Sequence, residues 1–404
     1  VSDKEDVFGQ NPDKSLIDKY ISRLNSLPVV GSFEKLKGLM ADVQSNRRYM
    51  VQTMAKAEAV LENNAGAPVM DSADSTAASS KTRAGGGDYS TTNVQVQGVD
   101  EADVVKTDGK YIYQVNRDRV VITSTYPEEE MKVSSILEYS DKKFTPREIY
   151  LHNEKMIVIG YSYFEYEKEP DLDKEVENKR RAEILPHPYY RTGTVKAIIY
   201  DISDKKNPKE IREVEIEGNY VSSRKIGSSL YFVANKYMNY YSIMNNEEIP
   251  ENITPIYRDT AVKDEFSDVD YKEICYFPEI VDSNYMVVAG VELDSDKEVD
   301  VNTYLGAGQN IYVSQDNLYV AMPKYETYKK EKTDDEGNVK IAFMPAYNPN
   351  TLVYKFSLDN TNVTYLSKGE VPGTVLNQFS MDEHEGYFRI ATTKGNAWGS
   401  GENA

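Results

Sequence analysis

The sequence predicts a mainly β fold, a β-propeller of four-stranded blades, preceded by a short α-helical N-terminal segment. Three observations predict this fold. Helical periodicity ends before Asn93, short alternating strands separated by turn residues follow it, and one hairpin pattern recurs five times. The composition agrees, because 32 of the 404 residues are tyrosine and aromatic residues are enriched in strands.

The N-terminal part of the chain carries helical patterns. Residues 14–26 place apolar side chains on one helical face, and Pro28 ends that helix. Ser32 is the predicted N-cap of a second helix, whose apolar stripe begins with Phe33. We therefore interpret residues 1–63 as an N-terminal helical segment.

A change in composition separates this segment from the rest. Residues 64–92 are small, polar and aperiodic, a composition that buries too little apolar surface to offset the entropy lost on ordering. They are predicted to form a flexible linker. The propeller is accordingly predicted to occupy residues 93–404.

The recurring hairpin consists of a short strand, a polar turn and a second strand that carries Tyr, Phe or Met. Its turns are rich in Asp, Asn and Gly, which tolerate the backbone angles of tight hairpins. The five copies are VVKTDGKYIYQV (104–115), IYLHNEKMIVIGY (149–161), SRKIGSSLYFVAN (223–235), IYVSQDNLYVAMP (311–323) and FSMDEHEGYFRIAT (379–392).

A second hairpin lies between consecutive copies, at residues 120–139, 197–218, 286–308 and 352–373. Two hairpins per unit make a four-stranded sheet, and serial four-stranded sheets predict a propeller. The sequence thus contains four complete units and the start of a fifth. We expect the fifth unit to be continued by sequence beyond Ala404; a four-bladed ring with an overlapping end is the alternative.

Three long insertions interrupt the units, at residues 164–193, 235–266 and 324–349. Repeat folds usually place such insertions on one face, often the face that binds partners. Tyrosines lie in or beside all three, and a Tyr side chain offers an apolar ring with a polar tip that suits contacts with protein or sugar. The candidate binding residues are Tyr189, Tyr190, Tyr237, Tyr240, Tyr241, Tyr325 and Tyr328. The alternative is that these rings pack the insertions onto the blades.

Charge and hydropathy exclude several classes of function. The chain has 47 Lys and Arg against 66 Asp and Glu, a formal charge of −19, whereas nucleic-acid binding depends on cations that neutralise phosphates. We therefore expect no nucleic-acid partner. No segment approaches the roughly 20 apolar residues of a membrane helix. The single Cys275 precludes an internal disulfide, a pattern that many exported bacterial proteins share.

Two stretches closely resemble the signatures of a known family. They are NVQVQGVDEADVVKTDGKYIYQV (93–115) and GEVPGTVLNQFSMDEHEGYFRIATTKGN (369–396). They are similar to a family of secreted bacterial and archaeal proteins with a C-terminal β-propeller domain, distantly related to WD-40 repeats. The resemblance implies export, a lipid-anchored or cleaved N-terminus upstream, and further propeller after Ala404. It implies no reaction.

Two acidic clusters are candidate calcium sites, because Ca²⁺ takes several carboxylate or carbonyl oxygens. The first is Asp100, Glu101 and Asp103. Neighbouring residues of a strand point to opposite faces, so at most two of these carboxylates can converge, and a structural role at the entry to the first strand is the alternative.

The second candidate consists of Asp294, Asp296 and Asp300. Their spacing partly matches a calcium-binding loop, but Val299 stands where that loop requires Gly and Leu305 where it requires Glu. A solvated turn between strands is the alternative. Calcium is thus the one cofactor that the sequence suggests.

The sequence contains no catalytic motif of a hydrolase. It lacks a G-x-S-x-G elbow, an H-E-x-x-H pair and a C-x-x-C pair, and its three histidines are scattered. We predict an extracytoplasmic binding or scaffolding protein, secreted or lipid-anchored at the surface of a bacterial or archaeal cell, that contacts protein or glycan through its insertion loops. The alternatives are a polysaccharide hydrolase or lyase that uses carboxylates at the propeller channel, and an envelope assembly factor.

Overall fold

The computed structural model describes most of the predicted propeller and a short part of the N-terminal segment. The described residues are 26–41, 94–140, 143–165, 191–245, 253–279, 282–306, 310–324, 327–333, 339–345, 349–394 and 402–403. The predicted linker and almost all of the first predicted helix lie outside these residues.

The second predicted helix is present as α1, which covers residues 33–41. The backbone N–H of Lys35 donates to Ser32 Oγ at 3.2 Å, so Ser32 caps the helix as predicted. Phe33, Leu36 and Met40 of the predicted stripe are buried in a core cluster that they share with the propeller. This helix is therefore docked on the blades.

Four-stranded antiparallel sheets follow one another along the chain, after a two-residue strand β1 (Val99–Asp100). Blade 1 contains β2 (Val105–Thr107), β3 (Tyr111–Asn116), β4 (Arg119–Ser124) and β5 (Lys132–Glu138). Blade 2 contains β6 (Phe144–His152), β7 (Lys155–Glu165), β8 (Arg191–Asp201) and β9 (Lys209–Glu217).

Blade 3 encloses one of the insertions. It begins with β10 (Asn219–Ile226) and β11 (Ser229–Tyr237). The insertion contributes α2 (Tyr240–Asn245), β12 (Ile256–Asp259), β13 (Lys263–Asp268) and β14 (Ile274–Tyr276), so it extends beyond residue 266, where the sequence predicted its end. The blade ends with β15 (Asn284–Glu292) and β16 (Asp300–Leu305).

Blade 4 contains the last insertion that the sequence predicted. Its own strands are β17 (Asn310–Val313), β18 (Asn317–Lys324), β21 (Asn350–Asp359) and β22 (Asn362–Pro372). The insertion forms a separate hairpin of β19 (Thr327–Thr333) and β20 (Val339–Pro345).

A fifth hairpin and a short strand pair close the described chain. These strands are β23 (Met381–His384), β24 (Tyr387–Ile390), β25 (Thr393–Lys394) and β26 (Glu402–Asn403). The prediction of four complete units and the first hairpin of a fifth is thus confirmed over the described residues.

The insertion in blade 3 strengthens the outer rim of the propeller. β12 pairs with β9 and so extends the sheet of blade 2, while β14 pairs in parallel with β16 and extends blade 3. The chain before α1 adds to the same edge, because the Val30 N–H donates to the Ile274 carbonyl at 2.8 Å. One insertion therefore joins two blades and the N-terminal segment.

All three insertions leave the blades at the same point of the strand order. They connect the second strand of a blade to the third: β7 to β8, β11 to β15, and β18 to β21. Because equivalent strands of propeller blades run in the same direction, these connections emerge on one face, here called the insertion face. The sequence-based expectation of a single insertion-bearing face agrees with this order.

Buried apolar side chains fill the spaces between neighbouring blades. One cluster lies between blades 1 and 2, the largest between blades 2 and 3 with α1, and two more lie between blades 3, 4 and 5. Many of the tyrosines belong to this core, and Tyr113, Tyr150, Tyr285 and Tyr354 are fully buried.

Gly290 of β15 marks a close approach of blades 3 and 4. A Cβ atom at this position would lie 2.2 Å from the Thr361 carbonyl oxygen in the turn of blade 4. We expect Gly290→Ala to destabilise the protein by about 1–3 kcal/mol through this backbone clash, measured by urea denaturation. Gly369→Ala in β22 is the control, since nothing lies within 4 Å of its added methyl group. Equal losses from the two variants would contradict the role of this contact.

Candidate binding site at the inner edges of the blades

The segment that carries the first acidic cluster crosses the blades in succession. We call residues 95–104 the inner strap. At its beginning, the Gln95 side-chain amide donates to the Gln378 carbonyl of the fifth hairpin unit at 3.2 Å. The Gln97 carbonyl accepts from the side chain of Gln315, in the β17–β18 turn of blade 4, at 2.7 Å.

The strap then pairs with the first strands of two blades. β1 lies antiparallel to β10 of blade 3, with Asp100 opposite Lys225. Asp103 forms an isolated antiparallel bridge to Ile149 in β6 of blade 2, where the Ile149 N–H donates to the Asp103 carbonyl at 2.8 Å. The strap therefore occupies hydrogen-bonding positions at an edge that the sheets of blades 2 and 3 would otherwise leave open.

Cationic side chains neutralise the first two carboxylates of the strap. Lys106 Nζ lies 2.8 Å from Asp100 Oδ1, and Lys225 Nζ lies 3.8 Å from Asp100 Oδ2. Glu101 Oε1 pairs with the Arg224 guanidinium at 3.3 Å. Burial lowers the pKa of Lys225, and the neighbouring Asp100 partly opposes this effect.

The third carboxylate has a local partner. Asp103 Oδ1 accepts the N–H of Val104 at 2.7 Å. Within the described residues, no three His, Cys, Asp or Glu side chains are grouped as a metal site would need. The proposed strand-entry role of Asp100, Glu101 and Asp103 accounts for the observed contacts, and calcium binding by them stays a prediction.

A network of hydroxyl groups lies beside these ion pairs. Tyr220 donates to Glu148 Oε2 at 2.7 Å and lies 2.7 Å from Ser223 Oγ, which also lies 2.9 Å from the Tyr150 hydroxyl. Burial raises the pKa of Tyr220, and the carboxylate of Glu148 raises it further. Both effects keep the Tyr220 hydroxyl protonated, so it acts as a fixed hydrogen-bond donor.

The second acidic cluster does not converge on one point. Asp294 is exposed and lies 3.0 Å from His152 Nε2; this hydrogen bond lowers the pKa of Asp294. Asp296 is exposed, and Asp300 is half-buried with a pKa raised by burial. Calcium binding at these three residues also stays a prediction, but their side chains have different surroundings.

A buried arginine organises the loop between β15 and β16. Arg212 donates to both carboxylate oxygens of Asp259, at 2.9 and 2.6 Å, and this pair is almost fully buried. The guanidinium also donates to the carbonyls of Glu292, Ser295 and Lys297. Backbone oxygens that a calcium loop would direct at the metal are thus directed at Arg212.

Comparison with known proteins agrees with this architecture. The sequence model of the family described as Beta propeller domain matches residues 89–404. The chain belongs to this family. It is 24% identical over 373 residues to an uncharacterised protein of Methanocaldococcus jannaschii, covering 76% of this chain and 50% of that protein.

A second relative gives a similar picture. An uncharacterised protein of Archaeoglobus fulgidus is 24% identical over 408 residues, covering 85% of this chain and 58% of that protein. This member of the propeller family therefore spans little more than half the length of the curated relatives it matches. No solved structure matches it.

The described residues place two of the seven candidate tyrosines. Tyr237 ends β11 on the insertion face and is 66% exposed, whereas Tyr240 in α2 packs against the core between blades 2 and 3. The alternative packing role therefore fits Tyr240. Tyr189, Tyr190 and Tyr325 lie outside the described residues, and of Tyr241 and Tyr328 only the backbone is described.

Sequence patterns did not reveal the groups that contact the strap. Arg224, Lys225 and Ser223 belong to one copy of the repeated hairpin, and their residue types gave no functional signal. The available clue was the pair of cations Arg224 and Lys225 on the first strand of a blade, together with the acidic segment at 100–103, which the other copies of the hairpin lack.

Among the described helices, none is long and apolar enough to span a membrane.

Proposed function

We propose that this propeller is the binding or scaffolding part of an extracytoplasmic protein, secreted or lipid-anchored, that contacts protein or glycan at the cell envelope through its insertion face. The observation that carries the proposal is the common position of the three insertions. Each connects the second and third strands of a blade. The propeller therefore presents three long connections on one face. Such a surface suits recognition.

The inner edges of the blades favour binding over catalysis. The strap covers hydrogen-bonding positions of two blades, and Asp100 and Glu101 are held by Lys106 and Arg224. A hydrolase needs a carboxylate that can donate or accept a proton at the substrate. The ion pairs hold the carboxylates of Asp100 and Glu101 in place, so these groups are not available to transfer a proton to a substrate.

One observation favours the hydrolase or lyase as a second candidate. Glu148 lies in the same region as Arg224 and accepts a hydrogen bond from Tyr220, which gives an acidic group and a phenol near the axis. Release of reducing ends from a panel of envelope polysaccharides would detect this activity. Loss of that release in Glu148→Gln, with unchanged folding, would support the second candidate.

A capture experiment tests the binding function. The purified chain should retain a protein or glycan from an envelope extract, and a variant with residues 166–190 replaced by a short Gly-Ser linker should retain less. A variant of the opposite face, Tyr387→Ala, is the control, because Tyr387 follows the β23–β24 turn and is 75% exposed. Capture of an envelope assembly component would favour the assembly-factor alternative. Turnover of a polysaccharide without any stable binding would overturn the proposal.

A further inference from the structure

A groove of about 370 Å³ opens on the insertion face between blades 1 and 2. It lies where the chain passes from β5 to β6, beside the end of β7 from which the blade 2 insertion departs. Its lining combines three tyrosines and one phenylalanine with three hydroxyl-bearing residues, Lys143 and Asp118. Its volume is at the lower end of the range of about 300–1,000 Å³ for small-molecule sites.

Closely packed side chains and strands form the floor of this groove. Tyr139 and Phe144 are buried and meet edge to face, with ring centroids 5.1 Å apart. The Tyr139 N–H donates to the Asp118 carbonyl at 2.9 Å. Gly160 allows β6 to approach β7, because a Cβ atom there would lie 2.2 Å from the Thr145 carbonyl oxygen.

The walls carry half-buried aromatic rings, each with a cation beside it. The Arg147 guanidinium lies 4.9 Å from the ring centroid of Tyr161 and donates to its hydroxyl at 2.9 Å. Lys143 Nζ lies 5.3 Å from the ring centroid of Tyr163. The two contacts of Arg147 orient the Tyr161 ring, and Lys143 adds one contact to the Tyr163 ring.

The remaining lining groups are hydroxyls and one carboxylate. Ser140, Ser162 and Thr145 supply hydroxyl groups, and Asp118 supplies a carboxylate. A pyranose ring has apolar C–H faces and a rim of hydroxyl groups. Aromatic rings can pack against those faces, and hydroxyl and carboxylate groups can hydrogen-bond the rim, so the lining of the groove matches a pyranose ring.

We propose that this tyrosine groove binds one or two residues of a neutral glycan. Lys143 and Arg147 bring positive charge to the groove and Asp118 brings negative charge, so the groove itself selects no strongly charged ligand. The whole chain carries a formal charge of −19, which repels polyanions. The proposal rests on the binding function proposed above and assigns to it a ligand class and a site distinct from the tyrosines of the insertions.

Titration calorimetry with neutral oligosaccharides tests the groove. The probes are cello-, malto- and mannohexaose and fully N-acetylated chitohexaose, with polygalacturonate as the anionic comparison. We expect one neutral probe to bind, Tyr163→Ala to weaken it by about tenfold or more, and Tyr161→Phe to weaken it less, since the ring remains. Tyr387→Ala should bind like the wild type, and thermal melting confirms that each variant is folded.

Four results would refute the proposal that the groove binds a neutral glycan. Binding of polygalacturonate alone would exclude a neutral ligand, and unchanged binding in folded Tyr163→Ala would exclude the site. Loss of binding in Tyr237→Ala with Tyr163→Ala unaffected would move the contact to the insertion, and the proposed binding function would then survive without the groove. Capture of an envelope protein, with no oligosaccharide bound, would likewise refute only the groove.

Discussion

Replacing Arg212 by alanine should destabilise the protein by about 3–5 kcal/mol, the range found when one partner of a buried ion pair is removed. The side chains of Arg212 and Asp259 are 4% and 2% exposed. Alanine would leave the Asp259 carboxylate buried with only the backbone N–H groups of Val299 and Ala261 as donors. The loss should appear as a lower midpoint of urea denaturation.

The same substitution should loosen the loop between β15 and β16. The carbonyl of Glu292 at the end of β15 and those of Ser295 and Lys297 in the loop accept hydrogen bonds from the Arg212 guanidinium. Backbone acceptors that lose a buried donor must find water, so amide hydrogen exchange should rise locally. Arg212→Lys should recover only part of the stability, because one ammonium group cannot reproduce the five donors of a planar guanidinium.

Arg389 provides the matched control for this prediction. It forms an ion pair with Asp382, but the two side chains are 57% and 46% exposed. Exposed pairs typically contribute about 0–1 kcal/mol, so Arg389→Ala should change stability little. A similar loss in both variants would contradict the assignment of the large effect to burial at Arg212.

The repeated hairpin made most of the architecture predictable. Strand alternation and turn chemistry act over ten to fifteen residues, and each copy contains enough apolar residues to form two strands. The N-terminal helix was equally local, since Ser32 and the stripe of Phe33 and Leu36 lie within one turn or two. Features of this kind depend on residues that are close together in the chain, so a single sequence is enough to predict them.

Long-range pairings could not be predicted from these patterns. Arg212 and Asp259 are 47 residues apart, and the Gln95 side chain reaches a carbonyl 283 residues away. β12 lies in the predicted insertion at 235–266 and β14 follows it, yet these two strands extend the sheets of two blades. Such contacts depend on the order of the blades, and neither composition nor periodicity encodes which strand edges will meet.

The tyrosines illustrate the same limit. Their number indicated strands, but their individual roles depend on partners from other blades. Tyr319 in blade 4 donates to Glu383 of the fifth hairpin at 3.0 Å, and Ser314 donates to the same oxygen at 2.7 Å. Burial would raise the pKa of Glu383, but the hydrogen bonds from Ser314 and Tyr319 outweigh burial and lower it.

Replacing Asp100 by alanine should also destabilise the protein, by about 2–3 kcal/mol, because it removes the carboxylate from a nearly buried ammonium group. The side chain of Lys106 is only 7% exposed. Without Asp100, Lys106 Nζ keeps its hydrogen bond to the Glu101 carbonyl at 2.6 Å and its place beside the ring of Tyr150. Urea denaturation measures the loss, and Glu265→Ala, in an exposed pair with Lys263, is the control.

A double variant separates the ion pair from the backbone of the strap. Asp100→Leu with Lys106→Met removes the closer ion pair and keeps apolar volume, so about half or more of the lost stability should return although Lys225, 3.8 Å from Asp100, keeps its charge. If the stability does not return, the Asp100 carboxylate acts through a group other than Lys106. Calcium titration then shows whether that group is a metal ion. A melting temperature that rises with calcium in the wild type but not in Asp100→Ala would establish the cation site. An unchanged melting temperature, together with recovery in the double variant, would show that Lys106 supplies the positive charge that the acidic segment requires.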